Sequence, residues 1–289
     1  MREQIKSINF QKANFKSLQP KIFFKSVTLR SNLFFMSAEK QDGSLQTTFH
    51  NAVATVEFGH PAGNSFPRQL LDRLTSEINT LSENKTVTVI VLQSLGAKVF
   101  CSGASFDELL AVKNEQQGAH FFSGFAHLLN AMRNCSKIIV ARVQGKAVGG
   151  GVGIVSACDY VLATPESAVK LSELAIGIGP FVIEPAVSRK IGKAAMTEMT
   201  LAAHEWKSAA WALENKLFTE IHTAENLDTA VVNFTQQLSS YNPDALYEMK
   251  KIIWEGTEHW ESLLIERAGI TGKLVLSDFS RKALEQFKK

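Results

Sequence analysis

The chain has 289 residues, 45% hydrophobic and 20% charged, which is the balance of a globular protein with a sizeable core. No stretch approaches the roughly 18 consecutive apolar residues that a membrane span needs, so the composition predicts a soluble protein with no membrane partner. Residues 1–36 hold seven of the 31 Lys and Arg residues and one of the 28 acids, which leaves 24 basic and 27 acidic residues in 37–289 and argues against a nucleic-acid partner.

Residues 1–36 form a basic N-terminal extension that we predict to be disordered. The segment is rich in Lys, Asn and Phe, has Glu3 as its only acid and ends at Met36. It lacks the apolar region of a secretory signal. Three interpretations stay open: a tail on a cytoplasmic protein, residues translated from upstream of the true start, and a transit peptide that directs the chain to the mitochondrial matrix.

Three elements are predicted between residues 53 and 92. Alternating β-formers over 53–58 predict a strand, and the β-branched run TVTVIVL (86–92) is typical of a buried strand. Between them, apolar residues recur at helical spacing and predict a helix over 68–82: Leu70, Leu71, Leu74, Ile78 and Leu81. The order is therefore β-α-β.

The pattern continues to residue 163. Ser105 and Glu108 have the spacing of a capping box and predict a helix start. Phenylalanines and leucines over 121–132 predict another helix, and strands are predicted over 138–143 and 160–163. Between these two strands lies a glycine run over 149–153, followed by small residues that suggest a tightly packed helix.

Beyond residue 190 the pattern is helical, and the segment 199–221 is predicted as one helix. The fold class is α/β, with a core over 37–240 and a C-terminal helical region over 241–289. Cys101, Cys135 and Cys158 are odd in number and lack ligand-like spacing, which argues against disulfides and a zinc site and indicates a reducing compartment.

The glycine run by itself has two interpretations. It permits close helix–strand packing, and it partly matches a dinucleotide fingerprint, because Gly151 and Gly153 are followed by Glu173 about twenty residues later. The third glycine of that fingerprint falls on Ser156, and the run lies in the middle of the chain. A nicotinamide enzyme is therefore the less favoured interpretation.

Three segments in a fixed order carry a resemblance to a known family: LGAKVFCSGASFDEL (95–109), VQGKAVGGGVGIVSACDYVLA (143–163) and AVKLSELAIGIGP (168–180). With HPAGNSFP (60–67), they make the chain over about 50–285 resemble the enoyl-CoA hydratase/isomerase, or crotonase, superfamily. The resemblance implies a crotonase-type spiral of ββα units. It also implies an acyl-CoA substrate, no cofactor besides the coenzyme A of that substrate, and a homotrimer or a dimer of trimers.

The resemblance also implies the site. In this family two backbone N–H groups, at the positions of Ala104 and Gly150, bind the thioester oxygen and stabilise an enolate. Positions next to the bound acyl-CoA match Gly103, Ser105, Phe106, Gly149 and Gly151. Asp107 stands where many relatives have a lysine near the CoA phosphates, while Phe287 and Lys288 resemble residues placed near the adenine. No metal site is implied.

Family hydratases use two glutamates, and only the second has a match here, Glu173. The first falls on Gly153, and a third acidic position used by other members falls on Phe181. Apolar neighbours predict that burial raises the pKa of Glu173. One carboxylate is enough for a 1,3-proton shift, so an enoyl-CoA isomerase is favoured. Two alternatives stay open: a hydratase in which Glu173 acts with a non-standard partner, either Glu184 or a water held by the 179–185 loop, and a non-catalytic acyl-CoA-binding protein.

Phe181 and Val182 have two interpretations that stay open, pocket-narrowing residues or simple core anchors. Both follow Pro180 in a segment where many relatives have a glycine-rich loop that helps to hold the water.

Overall fold

The structure, a computed structural model, describes residues 42–286. The predicted extension 1–36, Phe287 and Lys288 lie outside the described residues. A large sheet has the strand order β1-β2-β3-β5-β7-β10. Its strands are β1 (Ser44–His50), β2 (Val53–Gly59), β3 (Val89–Ser94), β5 (Ile138–Val143), β7 (Tyr160–Ala163) and β10 (Glu220–Ile221).

A small sheet has the order β4-β6-β8-β9, with β4 (Val99–Cys101), β6 (Lys146–Val148), β8 (Ala168–Lys170) and β9 (Lys207–Ser208). The helices are α1 (Arg68–Glu83), α2 (Phe106–Ala111), α3 (Glu115–Asn134), α4 (Gly150–Ala157), α5 (Glu184–Leu201), α6 (Ala209–Glu214), α7 (Ala224–Ser239), α8 (Pro243–Ile253), α9 (Trp260–Leu274) and α10 (Asp278–Gln286). Only the β1–β2 and β8–β9 pairs are antiparallel.

The large sheet is covered on both faces, which explains its continuous apolar strands. In β3, Ile90 and Leu92 face the main core with α1 and α3, whereas Val89 and Val91 face α7. Each of β3, β5 and β7 leaves the large sheet and is followed by a strand of the small sheet and then by a helix. The predicted α/β spiral of ββα units is confirmed, and it brings the ends of β4, β6 and β8 side by side.

The predicted single helix over 199–221 is wrong. Helix α5 ends at Leu201, and the chain then becomes extended at Lys207, which pairs with Val169 of β8. Ser208 starts α6 by accepting a hydrogen bond from the N–H of Trp211. Pairing with a sheet edge thus overrides a helical apolar spacing, as tertiary contacts commonly override local propensity.

The C-terminal helices pack onto the core. Helix α9 lies along α3, where a Cβ on Gly118 would lie 2.6 Å from the carbonyl oxygen of Gly272, so only glycine permits this approach. The predicted boundary between the core and the C-terminal helical region, after residue 240, falls between α7 and α8, and that division stays a prediction. None of the helices in the described range is long and apolar enough to cross a bilayer.

A buried ion pair holds α8 against the large sheet. Nζ of Lys250 lies 2.7 Å from Oδ2 of Asp159, and the two side chains are 2% and 6% exposed. Asp159 also accepts hydrogen bonds from the N–H of Ile139 and from the indole of Trp254. Removing one partner would leave a buried charge without compensation.

Lys250→Met is expected to lower the free energy of unfolding by about 3–5 kcal/mol, because Asp159 stays buried and loses its cation. Urea titration followed by circular dichroism measures this change. Lys251→Met is the matched control. The side chain of Lys251 is exposed and pairs with the exposed Glu248, so its removal should leave the free energy of unfolding nearly unchanged. Equal losses in both variants would contradict the prediction.

Candidate active site

Two backbone N–H groups lie at the ends of β4 and β6. Ala104 forms a parallel bridge with Phe66, in which the N–H of Phe66 donates to Gly103 and the N–H of Ser105 donates to Phe66. These bonds use the neighbours of Ala104, and its own N–H donates none among the described residues. The N–H of Ala104 is therefore available to a ligand.

Gly150 supplies the second N–H. It is the first residue of α4, where a backbone N–H has no intrahelical acceptor. The N–H of Gly150 donates no hydrogen bond to any residue within 42–286. Gly149 precedes it with a φ of 53°, a left-handed conformation that favours glycine. A Cβ on Gly103 would lie 3.6 Å from the Gly150 nitrogen, so the turns that carry the two donors are in contact.

Both donors line one cavity of about 320 Å³, which is mostly apolar. Its inner wall comes from α2, α3 and the segment before α5, with side chains that include Leu109, Phe122, Phe125, Val182 and Ile183. A Cβ on Gly150 would lie 2.3 Å from Cε1 of Phe125, so that ring packs directly against Gly150. The cavity therefore presents two backbone donors in an environment where electrostatic interactions are strong.

Glu173 is the acid of this cavity, at the start of a 3-10 helix that follows β8. The residue is half-buried, but its Oε2 atom is fully buried and has no hydrogen-bond partner among the described residues. A Cβ on Gly149 would lie 2.9 Å from Oε1, which places the carboxylate beside the donor turn. Burial raises the pKa of Glu173 to about 7, a value suited to accepting and returning a proton near neutral pH.

The two other acidic positions of the family are filled by apolar contacts. A Cβ on Gly153 would lie 2.4 Å from Cγ2 of Ile183, so the isoleucine occupies the space of a side chain there. Phe181 lines the cavity, and its ring lies over Gly179, where a Cβ would be 2.4 Å from Cζ. Phe181 and Val182 both line the pocket, which favours the pocket-narrowing interpretation for Phe181, whereas Val182 is also buried in the main core.

Glu184 lies outside the cavity lining. Its carboxylate accepts hydrogen bonds from Lys193, Ser188 and Arg267. Partial burial acts to raise its pKa, but these three donors lower the pKa to about 2. A carboxylate held in this way is a fixed anion and does not supply the missing acid of the site.

The candidate contacts of the acyl-CoA divide into two groups. Gly103, Phe106 and Gly149 line the cavity together with the two donors. Ser105 and Gly151 do not: the Ser105 side chain caps α2, and a Cβ on Gly151 would lie 2.8 Å from Cβ of Cys101. Asp107 is exposed and also outside the lining.

Sequence reasoning missed Lys170, His204 and Trp206, which line the same cavity. The pairing of β8 with β9 brings these residues to it. The segment 206–208, which contains β9, could have been predicted as a short strand between two helices. The prediction of one continuous helix over 199–221 left no place for this strand.

A family model described as enoyl-CoA hydratase/isomerase matches residues 48–286, which is most of the chain. The chain belongs to the enoyl-CoA hydratase/isomerase family. Family members process acyl-CoA thioesters, which agrees with a cavity that holds two free backbone donors and one carboxylate.

Two curated family relatives illustrate the range. The bacillaene synthase dehydratase PksH of Bacillus subtilis is 29% identical over 174 residues, 59% of this chain and 67% of that protein. The mitochondrial enoyl-CoA hydratase domain-containing protein 3 of Mus musculus is 27% identical over 206 residues, 70% of this chain and 67% of that protein. Across eight curated relatives the matched stretch spans only 33–67% of the relative's length.

Solved structures of the family share the fold over nearly their whole length. The crystal structure of enoyl-CoA hydratase from Bacillus halodurans has a TM-score of 0.77 and 22% identity, and covers 84% of this chain and 99% of its own. The crystal structure of a polyketide biosynthesis enoyl-CoA hydratase (pksH) from Bacillus subtilis has a TM-score of 0.75 and 22% identity, with coverage of 85% and 96%. At this identity the likeness shows the fold alone.

The raised pKa of Glu173 has a consequence for stability. The ordinary pKa of a glutamate is about 4.3, so between that pH and about 7 the folded state keeps a proton that the unfolded state releases. The stabilisation is complete below pH 4.3 or so and is lost as the pH rises through 7. Glu173→Gln cannot ionise, so its Tm relative to wild type should rise between pH 5 and pH 8. A constant difference in Tm across this range, measured by scanning calorimetry, would contradict the prediction.

Proposed function

We propose that the chain catalyses an isomerase-type proton shift on an enoyl thioester, with Glu173 as the single acid and base. The observation that carries the proposal is the position of Ile183 against Gly153, because it fills the space of the second carboxylate that hydration uses. Within the described residues, Glu173 is the one carboxylate that lines the cavity. A shift of one proton along the substrate needs one such group.

The reaction follows from the arrangement of the groups. Glu173 takes a proton from C2 of a 3-enoyl thioester, and the electron pair of that C–H bond moves into a dienolate. The negative charge develops on the thioester oxygen, where the N–H groups of Ala104 and Gly150 donate to it. The protonated Glu173 then returns the proton at C4, which leaves the double bond between C2 and C3 and restores the carboxylate. The proposed proton shift conserves atoms and electrons without a cofactor.

The apolar wall of the cavity supports proton return to the substrate. Oε2 of Glu173 is buried without a partner, and Phe125 and Phe181 line the same space. Exclusion of water slows the exchange of the abstracted proton with solvent and limits attack of water at C3. The proposed shift therefore competes well with hydration.

The hydratase alternative loses the partner that the sequence suggested. Hydration needs a group that positions and activates water in addition to Glu173. Glu184 is held by three donors outside the cavity, so this carboxylate is not available. Efficient hydration would have to draw on a water bound by backbone groups near Gly179.

A comparison of two reactions tests the proposal. The purified protein is offered a 3-enoyl-CoA and the corresponding 2-enoyl-CoA, and isomerisation and hydration are followed separately. Isomerisation is expected to be the faster reaction. A substrate carrying deuterium at C2 should give product with part of that deuterium at C4. Hydration faster than isomerisation would overturn the assignment.

A saturated acyl-CoA separates an enzyme from a non-catalytic binding protein. In D2O, Glu173 should exchange the C2 protons of this compound for deuterium through the same enolate, and mass spectrometry detects the change. Binding without exchange, and without turnover of either enoyl-CoA, would favour the acyl-CoA-binding alternative.

The assembly is proposed to be a homotrimer or a dimer of trimers. Helix α8 exposes Met249, Ile252 and Ile253 at 49%, 61% and 38% on one face, an apolar surface that a second copy of the chain would cover. Light scattering of the purified protein measures the mass, and a monomer would exclude this proposal. A cytoplasmic location, with the mitochondrial matrix as the alternative, stays a prediction.

A further inference from the structure

We propose that Lys146, Lys170 and Trp206 form a binding site for an anionic group of the thioester ligand, a carboxylate on the acyl part or a phosphate on the carrier. The proposal rests on the function proposed above, because it concerns the ligand of the same cavity. Lys170 and Trp206 line that cavity with Glu173. We call the three residues the basic–indole site.

The register of the small sheet brings the three side chains together. Lys170 is paired with Val148, so their side chains lie on the same face of the sheet, and Val148 lines the cavity. Lys146 lies two residues before Val148 and shares that face. Lys207 is paired with Val169, and Trp206 is therefore the residue of the next strand that lies beside Lys170.

Both ammonium groups contact one indole. Nζ of Lys146 lies 4.8 Å and Nζ of Lys170 lies 5.4 Å from the centroid of the Trp206 ring. Cation–π attraction at these distances holds the flexible lysine side chains in place. The indole itself is 43% exposed, so part of its surface stays open to a ligand.

The two cations lack an anionic partner in the described part of the chain. The neighbouring carboxylates of Glu198 and Glu205 pair with Lys207 instead. Two positive charges near one ring repel each other, and an anion between them would relieve this repulsion while gaining charge-assisted hydrogen bonds. The chemistry of the missing partner is thus a carboxylate or phosphate oxygen.

The test uses the full chain and the variant Lys146→Met/Lys170→Met, which keeps the apolar stems and removes both charges. Calorimetry measures the binding of a saturated acyl-CoA, of its analogue with a terminal carboxylate, and of both acyl groups on pantetheine, which lacks the nucleotide phosphates. At least one anionic ligand should lose affinity by roughly 10- to 100-fold. Lys146→Arg/Lys170→Arg should restore most of it, and Lys85→Met, which removes an exposed lysine elsewhere, should change nothing.

The four ligands identify the source of the anion. A loss confined to the carboxylate-terminated acyl groups, on either carrier, assigns the site to the acyl part. A loss on both CoA ligands and on neither pantetheine ligand assigns it to a carrier phosphate. Equal affinities of wild type and the double Met variant for all four ligands would overturn the basic–indole site. Because binding is measured without turnover, this failure is distinct from an absence of isomerase activity, which would overturn the proposed function alone.

Discussion

Replacing Glu173 with glutamine is expected to lower kcat by about 10²- to 10⁴-fold while acyl-CoA still binds. Glutamine keeps the shape of the side chain but cannot accept a proton from C2. The buried Oε2 has no hydrogen-bond partner in the described chain, so the substitution breaks no structural contact of that atom. Steady-state assays of isomerisation measure kcat, and calorimetry with a saturated acyl-CoA measures the binding affinity.

Two control variants separate the loss of the catalytic carboxylate from the loss of a negative charge elsewhere in the protein. Glu166→Gln removes a carboxylate from the exposed turn between β7 and β8 and should leave kcat unchanged. Glu184→Gln removes a partner of Arg267 and Lys193, so it should lower Tm and change kcat by no more than a factor of a few. If Glu173→Gln retained full turnover, or if Glu184→Gln were the variant that lost it, the single-carboxylate mechanism would be wrong.

The strands and helices of the central spiral could be predicted because their patterns are local. The β-branched residues Ile138, Ile139, Val140 and Val143 predicted the strand at 138–143, whose bounds the structure reproduces, and Ser105 does cap α2. The second half of that capping box does not form. The carboxylate of Glu108 accepts the N–H of Arg68 instead, a contact forty residues away in sequence. Such long-range partners are not encoded in the spacing of neighbouring residues.

The candidate site shows the same division. The positions of Ala104, Gly150 and Glu173 followed from a family resemblance, and the structure brings all three to one cavity. The absence of an acid at Gly153 could be read from the sequence, but its replacement by Ile183 could not. That contact depends on how the segment before α5 packs on α4, thirty residues away. Likewise, Trp206 reaches the cavity only through the pairing of β9 with β8.

Removing the N–H of Ala104 is expected to lower kcat by about 10²- to 10³-fold, with a smaller change in ligand affinity. Ala104→Pro deletes this donor and leaves the flanking bonds of the bridge to Phe66, which belong to Gly103 and Ser105. Ala104→Val is the matched control, because it adds a side chain of similar size and keeps the N–H. The ratio of kcat between these two variants therefore measures the donor.

The second donor allows an independent comparison. Any residue larger than glycine at position 150 places a Cβ 2.3 Å from the ring of Phe125, so a loss of activity in Gly150→Pro alone has two causes. Gly150→Ala carries the same Cβ and keeps the N–H, and proline is compatible with the first turn of a helix. The proline variant should be slower than the alanine variant by a factor similar to that at Ala104, since both N–H groups donate to the same developing charge. Equal rates of the proline and alanine variants would show that the Gly150 donor does not act on the transition state, and the enolate would then depend on Ala104 alone.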